Sequence, residues 1–232
     1  IKRKGPILRA ELDFLLRETK LPIKVTLPGP MTVVDSTADE HYHDEEKLAM
    51  DVAVALNEEA LELEKQGAAV IQFDEPVFSR YPEKVVSWGI RALDRCLKGL
   101  STAKSVAHIC YSYPMPGVPR PIVDSYPVIL EALEYSKVDQ LALEFEASKL
   151  EPSLLRRCPS KTVLFGCIDN GTNAIENPRD VADKLLAAAE HLPPTQIQAA
   201  PDCGLVPLPL DIARLKLKVM VEGAKLARQE FQ

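Results

Sequence analysis

His108 and Cys110 form a His-x-Cys pair, and another cysteine, Cys203, stands in Pro201-Asp202-Cys203. Imidazole nitrogen and thiolate sulfur are borderline-to-soft donors, the combination that holds zinc in tetrahedral sites. Glu144 closes the apolar run Gln140-Leu141-Ala142-Leu143 and offers a carboxylate as a fourth donor. Glu146 lies two residues on, shares the same face of an extended chain, and is the competing ligand. Two more acids, Asp74 and Glu75, stand immediately before Pro76. Taken singly, each has a plainer reading: a packed core histidine, a buried thiol, a salt-bridge carboxylate, a proline that stops a strand. Metal chemistry is favoured by the place that these residues share in the chain's organisation.

Six apolar, β-leaning runs recur, at Ile23–Leu27, Ala69–Phe73, Ser105–Ile109, Gln140–Glu144, Thr162–Gly166 and Gln196–Ala200. Helical patterns separate most of them. The clearest runs from Glu45 to Lys65, with Leu48, Val52, Leu56 and Leu63 on one face and Gly67 closing it. Another opens at Pro178 behind Asn177, an N-cap residue followed by proline in the first turn, and runs to His191. Strands alternating with helices predict parallel βα units. The polar residues follow the strands: Gly29-Pro30, Asp74-Glu75-Pro76, Cys110-Tyr111-Ser112, Glu144, Asp169-Asn170 and Pro201-Asp202-Cys203. Reactive side chains at the C-terminal ends of successive parallel strands are the active-site arrangement of a (β/α)8 TIM-type barrel. A doubly wound α/β sheet would place them similarly, but Pro28-Gly29-Pro30 is not the glycine-rich phosphate loop such a sheet carries after its first strand. The expectation is an α/β barrel, with residues 1–232 as a single domain. Barrel closure takes eight strands and typically ~250 residues. Six runs, in a chain that opens on Ile1, therefore read as strands 3 to 8, the two N-terminal βα units being absent.

Composition removes several classes of function. The chain has 232 residues, 46% hydrophobic and 27% charged, with a formal net charge of -6. No basic stripe is interleaved with aromatics, so no nucleic-acid partner is expected. No apolar run reaches the ~18 residues of a membrane span, and no membrane partner is expected. Ile1-Lys2-Arg3-Lys4 lacks the apolar core of a signal peptide behind it. Five widely spaced cysteines do not form a disulfide framework and fit a reducing, cytoplasmic setting, with Cys96, Cys158 and Cys167 as packing thiols. His41 and His43 read as a solvated loop, and Pro114 to Pro121 as a pocket wall. Oligomeric state is open, a homo-oligomer included.

Gln72-Phe73-Asp74-Glu75-Pro76, His108-Ile109-Cys110-Tyr111-Ser112 and Pro201-Asp202-Cys203-Gly204-Leu205 resemble the catalytic domain of the cobalamin-independent methionine synthase family. The tail, Ala213-Arg214-Leu215-Lys216-Leu217-Lys218 through Glu222-Gly223-Ala224, is similar to its short, single-domain members. The resemblance runs from about Val25 to Ala227. It implies Zn2+ held by His108, Cys110, Glu144 and Cys203. It also implies that Asp74, with Glu75 beside it, binds the amino group of homocysteine as part of the catalytic site. The implied activity is a zinc-dependent methyltransferase that makes methionine. A free thiol has a pKa of ~8.5, and its thiolate is the nucleophile, so a metal that strips the proton activates the sulfur.

Two departures from the family bear on the methyl donor. Folate-using members carry a Trp after the Gly-Pro turn, where this chain has Met31-Thr32-Val33-Val34-Asp35-Ser36-Thr37. They carry a His shortly after the Asp of the seventh strand, where this chain has Asp169-Asn170-Gly171-Thr172-Asn173. Both point away from methyltetrahydrofolate and towards methylcobalamin or a corrinoid protein. A zinc enzyme that opens epoxides with coenzyme M, a sulfonate thiol, is an alternative that would need a cationic grip in place of Asp74. A non-catalytic zinc-binding barrel is the alternative outside catalysis. Porphyrin-processing decarboxylase barrels resemble the same architecture but lack the zinc-thiolate motifs.

Overall fold

The computed structural model describes residues 1–113 and 120–231. Most of the proline-rich stretch read as a pocket wall therefore lies outside the described residues. Six strands, β1 (Lys24–Pro28), β2 (Val70–Asp74), β3 (Lys104–Ile109), β4 (Gln140–Leu143), β5 (Thr162–Ile168) and β6 (Ile197–Pro201), form one sheet in sequential order. β1, β2 and β3 pair in parallel, and so do β5 and β6. Parallel neighbours need a crossover, and sequential order with helical crossovers is the βα pattern of a TIM-type barrel. The fold is α/β, as expected. Its contacts group into two compact units: Ile1–His108 with Tyr135–Gln140, and Ile109–Glu134 with Leu141–Gln232.

In the first unit, α1 (Arg9–Glu18) precedes β1, and α2 (Pro30–Asp35) and α3 (Glu45–Gln66) lie between β1 and β2. The short α4 (Pro82–Lys84) runs through a π-turn at Val85–Gly89 into α5 (Ile90–Cys96). α3 has the strongest local code. Asp44 accepts the Lys47 N–H at 3.1 Å, two glutamates occupy the first turn, and Gly67 takes a φ of 115° at the C-terminus. Its expected apolar face is the buried one: Leu48, Val52, Leu56 and Leu63 join Ile71, Phe73, Leu93 and Val106 in the core.

In the second unit, α6 (Tyr126–Glu134) leads to β4, α7 (Pro178–Ala189) links β5 to β6, and α8 (Leu210–Gln229) ends the chain's helices. Asn177 caps α7 by accepting the Arg179 N–H at 2.8 Å, with Pro178 at its first position. β5 is buried on both faces after its first residue, as in a parallel sheet covered by helices. α8 lies against α7 where Gly223 leaves no room for a side chain beside Val181 and the Pro178 carbonyl. Among the described residues, no helix is long and apolar enough to cross a membrane.

Candidate metal centre and its supports

Cys110 follows β3 directly, and Cys203 lies two residues past the end of β6. Their sulfurs are 3.7 Å apart. That is far beyond the ~2.05 Å of a disulfide. It does match two sulfurs placed ~2.3 Å from one tetrahedral centre, which stand about 3.8 Å apart. His108, on β3 two residues before Cys110, brings its imidazole to the pair. One ligand atom from each of His108, Cys110 and Cys203 lies within 4.8 Å of the others. Cys110 is buried, and the contact with Cys203, then burial, raise its thiol well above the ordinary value. Two such sulfurs become thiolates together only beside a cation. The donor set and its spacing fit zinc.

Glu144 directly follows β4 and is 1% exposed. Its carboxylate accepts the Tyr111 N–H at 2.9 Å and Arg120 Nη1 at 2.6 Å. Burial raises its pKa, opposed by Tyr111 and Arg120. Glu144 is not among the three residues whose ligand atoms gather. Glu146 is engaged elsewhere, with Lys149 at 2.6 Å and Lys184 at 2.7 Å. Burial works to raise its pKa, yet the two lysines hold it below the ordinary value.

Asp202 is fully buried, and its carboxylate accepts the N–H groups of Phe145, Glu146 and Ala147 at 3.0, 2.9 and 2.6 Å. One acid thus ties the loop that begins at Glu144 to the residue beside Cys203. The approach requires glycine at 166, because a Cβ there would overlap the Asp202 carboxylate and the Leu143 carbonyl. Phe145 of this loop joins a row of aromatic rings, meeting Tyr126 edge-on at 6.3 Å. Tyr111 stacks on Tyr126 at 5.2 Å, and Phe145 stacks on Phe165 at 4.5 Å. Ser112 takes a φ of 67°, an uncommon conformation for a non-glycine residue, at the turn that leaves Cys110 and Tyr111.

In the first unit, Asp74 ends β2 and is partly exposed. Gln72 Nε2 donates to Asp74 Oδ1 at 2.8 Å, and Lys24 Nζ donates to Gln72 Oε1 at 2.8 Å. Burial lowers the Lys24 pKa, against the pull of Asp74. Glu75 has a different environment: it is fully buried and accepts the Met31 N–H at 2.9 Å, the Thr32 N–H at 2.8 Å and the Thr32 hydroxyl at 2.7 Å. α2 has no side-chain cap of its own, and Glu75, just past the end of β2, satisfies its first N–H donors. Gly29 is again obligatory, since a Cβ there would overlap the Glu75 carboxylate.

Burial, opposed by these three donors, lifts the Glu75 carboxyl to about 7. A folded-state value above the unfolded one means that the folded chain keeps a proton the unfolded chain has lost. Its contribution to stability is full below about 4.5 and is lost as pH rises through about 7. The melting temperature is therefore expected to fall across that window, by the equivalent of up to about 3 kcal/mol from this group. Asp202, also lifted to about 7 by burial, adds to the slope with the same sign. Glu75→Gln should flatten the profile measured by calorimetry from acid to neutral pH. A profile unchanged by the substitution would contradict the assignment.

Four of these features lie beyond the motifs of the sequence: Arg120, the Asp202 tether, the Lys24–Gln72 link to Asp74, and Glu75 as the support of α2. Asp202 carried a usable signal, as an acid inside a cysteine motif. Arg120 carried none. His41 and His43 are exposed, in a turn organised by the Asp39 carboxylate, which accepts the N–H groups of His41 and Tyr42.

Residues 15–226 match the family model described as "Cobalamin-independent synthase, Catalytic domain". A methionine synthase of Saccharolobus islandicus is 35% identical over 212 residues, covering 90% of this chain and 60% of that protein. One from Saccharolobus solfataricus is 33% identical over 235 residues, covering all of this chain and 67% of that protein. The chain thus spans about 60% of the length of the first of these relatives. Among solved structures, a B12-independent methionine synthase from a Shewanella species, in complex with selenomethionine, superposes with a TM-score of 0.93 at 36% identity, covering 99% of this chain and 69% of that one. A putative B12-independent methionine synthase from Listeria monocytogenes, at 18% identity and a TM-score of 0.75, shares the fold. With the family model matched over most of its length, and His108, Cys110 and Cys203 gathered at strand ends, this chain belongs to the family of cobalamin-independent synthase catalytic domains.

Proposed function

We propose that the chain transfers a methyl group to the sulfur of homocysteine and so forms methionine, using zinc held by His108, Cys110, Cys203 and Glu144. The observation that carries this reading is the gathering of one imidazole and two sulfurs, with the sulfurs spaced for a single tetrahedral ion. When bound, zinc would lower the pKa of a substrate thiol and present its thiolate at neutral pH. Two cysteinates would cancel the charge of a +2 ion, and one further anionic donor, Glu144 or the substrate thiolate, would take the site to -1, electron-rich enough to favour donation from sulfur.

The chain's own residues bind and orient. Asp74 is the acceptor for the substrate ammonium, aimed by the hydrogen bonds from Lys24 to Gln72 and from Gln72 to Asp74. Glu75 supports this region by fixing the start of α2. Asp202 holds the Phe145–Ala147 backbone, and with it the position from which Glu144 departs β4. The donor fits a methylcobalamin or corrinoid source better than a folate. Met31, at the start of α2, is buried, and the segment from Met31 to Thr37 has no aromatic ring for a pterin to stack on.

Methionine formation from homocysteine, assayed with methylcobalamin and with methyltetrahydrofolate in turn, tests the reading. Asp74→Asn is expected to raise the homocysteine KM by roughly 10- to 100-fold, since a charge-assisted hydrogen bond is worth about 1.5–3 kcal/mol. The change in kcat should be smaller. A wild-type KM in this variant would remove Asp74 from the binding site, and no methionine from any methyl donor would overturn the function.

A further inference from the structure

We propose that Arg120 competes with the metal for the carboxylate of Glu144, and so decides whether the chain offers the ion four ligands or three. The inference rests on the metal reading above and deepens it. Three of the four donors gather within 4.8 Å, and Glu144 is not one of them. Both of its carboxylate oxygens are occupied, one by the Tyr111 N–H and the other by Arg120. The pair is well shielded, with side-chain exposures of 1% for Glu144 and 14% for Arg120. A guanidinium that close to a buried carboxylate is a strong alternative partner. Arg120 Nη1 also donates to the Ser112 carbonyl at 3.1 Å, two residues past Cys110. The guanidinium is thereby anchored to the segment that carries a metal ligand.

Charge arithmetic gives the pairing a purpose. His108 with two cysteinates leaves a +2 ion neutral, and either Glu144 or a substrate thiolate takes the site to -1. Both together would take it to -2. With Glu144 held by Arg120, the carboxylate keeps a cationic partner, and a bound zinc would keep one position for substrate, as catalytic zinc sites require. A substrate thiol would then lose its proton to water and supply the remaining sulfur donor. No bond within the chain changes. Arg120 thus acts through Glu144 as a positioning residue.

The test uses the full chain and zinc alone, with affinity read by competition against a chromogenic chelator. Four proteins form a double-mutant cycle: wild type, Arg120→Met, Glu144→Gln and the double variant. Arg120→Met is expected to bind zinc about 10- to 100-fold more tightly, the range over which groups that act on a metal ligand shift affinity. In the Glu144→Gln background the same substitution should change nothing. Arg120→Lys, which keeps a cation but loses the planar fork, should fall between wild type and Arg120→Met. Zinc affinity that is unchanged or weaker in Arg120→Met, or an effect that persists without Glu144, would overturn the competition while leaving the metal site standing. A wild-type chain that binds no zinc would overturn both.

Discussion

Cys203→Ser is expected to weaken zinc binding by at least about 100-fold. Structural zinc sites are worth about 10–16 kcal/mol, which shared over four ligands gives about 3 kcal/mol each, a hundredfold or more in affinity. The loss should exceed this average, because the hydroxyl of serine stays protonated where the thiol ionises, so the variant loses a charge along with the sulfur. Cys203 is the partly exposed member of the pair and Cys110 the buried one. Serine at 203 should therefore leave the fold intact while emptying the site. Equilibrium dialysis against buffered zinc, with far-ultraviolet circular dichroism as the control for folding, measures it. Methionine formation should disappear with the metal. A Cys203→Ser chain that binds zinc as the wild type does would remove Cys203 from the ligand set.

The largest expected effect on stability lies away from the metal. Lys216 on α8 is fully buried. Its Nζ donates to both carboxylate oxygens of Glu176, at 2.8 and 2.9 Å, and to the Ala174 carbonyl at 2.6 Å. Glu176 in turn accepts the Asp169 N–H at 3.0 Å, so the pair fastens the loop after β5 to the final helix. Lys216→Met would strand a shielded carboxylate, for which the cost is about 3–5 kcal/mol. At about 2–4 °C per kcal/mol for a chain of this size, the melting temperature should fall by roughly 6–20 °C. Replacing both members, Lys216→Met with Glu176→Met, should recover most of the loss, because neither charge is then left without its partner. A fall of only about a degree in the single variant would contradict the account.

Much of the fold was legible because its signals are local. The strands begin within one residue of the apolar runs, since β-leaning residues bounded by turns mark them, although β5 runs on to Ile168, two residues further than its run. α3 and α7 announce themselves through Asp44, Gly67, Asn177 and Pro178, all of which act on backbone within a few residues. α2 was not legible. Its N-terminus is satisfied by Glu75, more than forty positions along the chain, and Thr32, Val33 and Val34 resemble a strand as readily as a helix. The candidate site divides in the same way. His108, Cys110 and Cys203 could be picked out by residue type and by position after strands. The acids that hold this framework could not, because Asp202 and Glu75 work by capturing backbone N–H groups far away in sequence, those of a loop and of the first turn of α2, and any residue has an N–H to offer. Glu144 and Glu146 look equivalent on an alternating strand. They are separated in the structure by their partners, Tyr111 and Arg120 for one, Lys149 and Lys184 for the other.

Zinc X-ray absorption on the purified chain, before and after homocysteine is added, tests whether this chain activates a thiol on zinc. About one zinc per chain with two sulfur ligands is expected, rising to three when homocysteine is present and unchanged by methionine. A chain without zinc, or a coordination sphere that homocysteine leaves as it was, would contradict thiol activation on zinc.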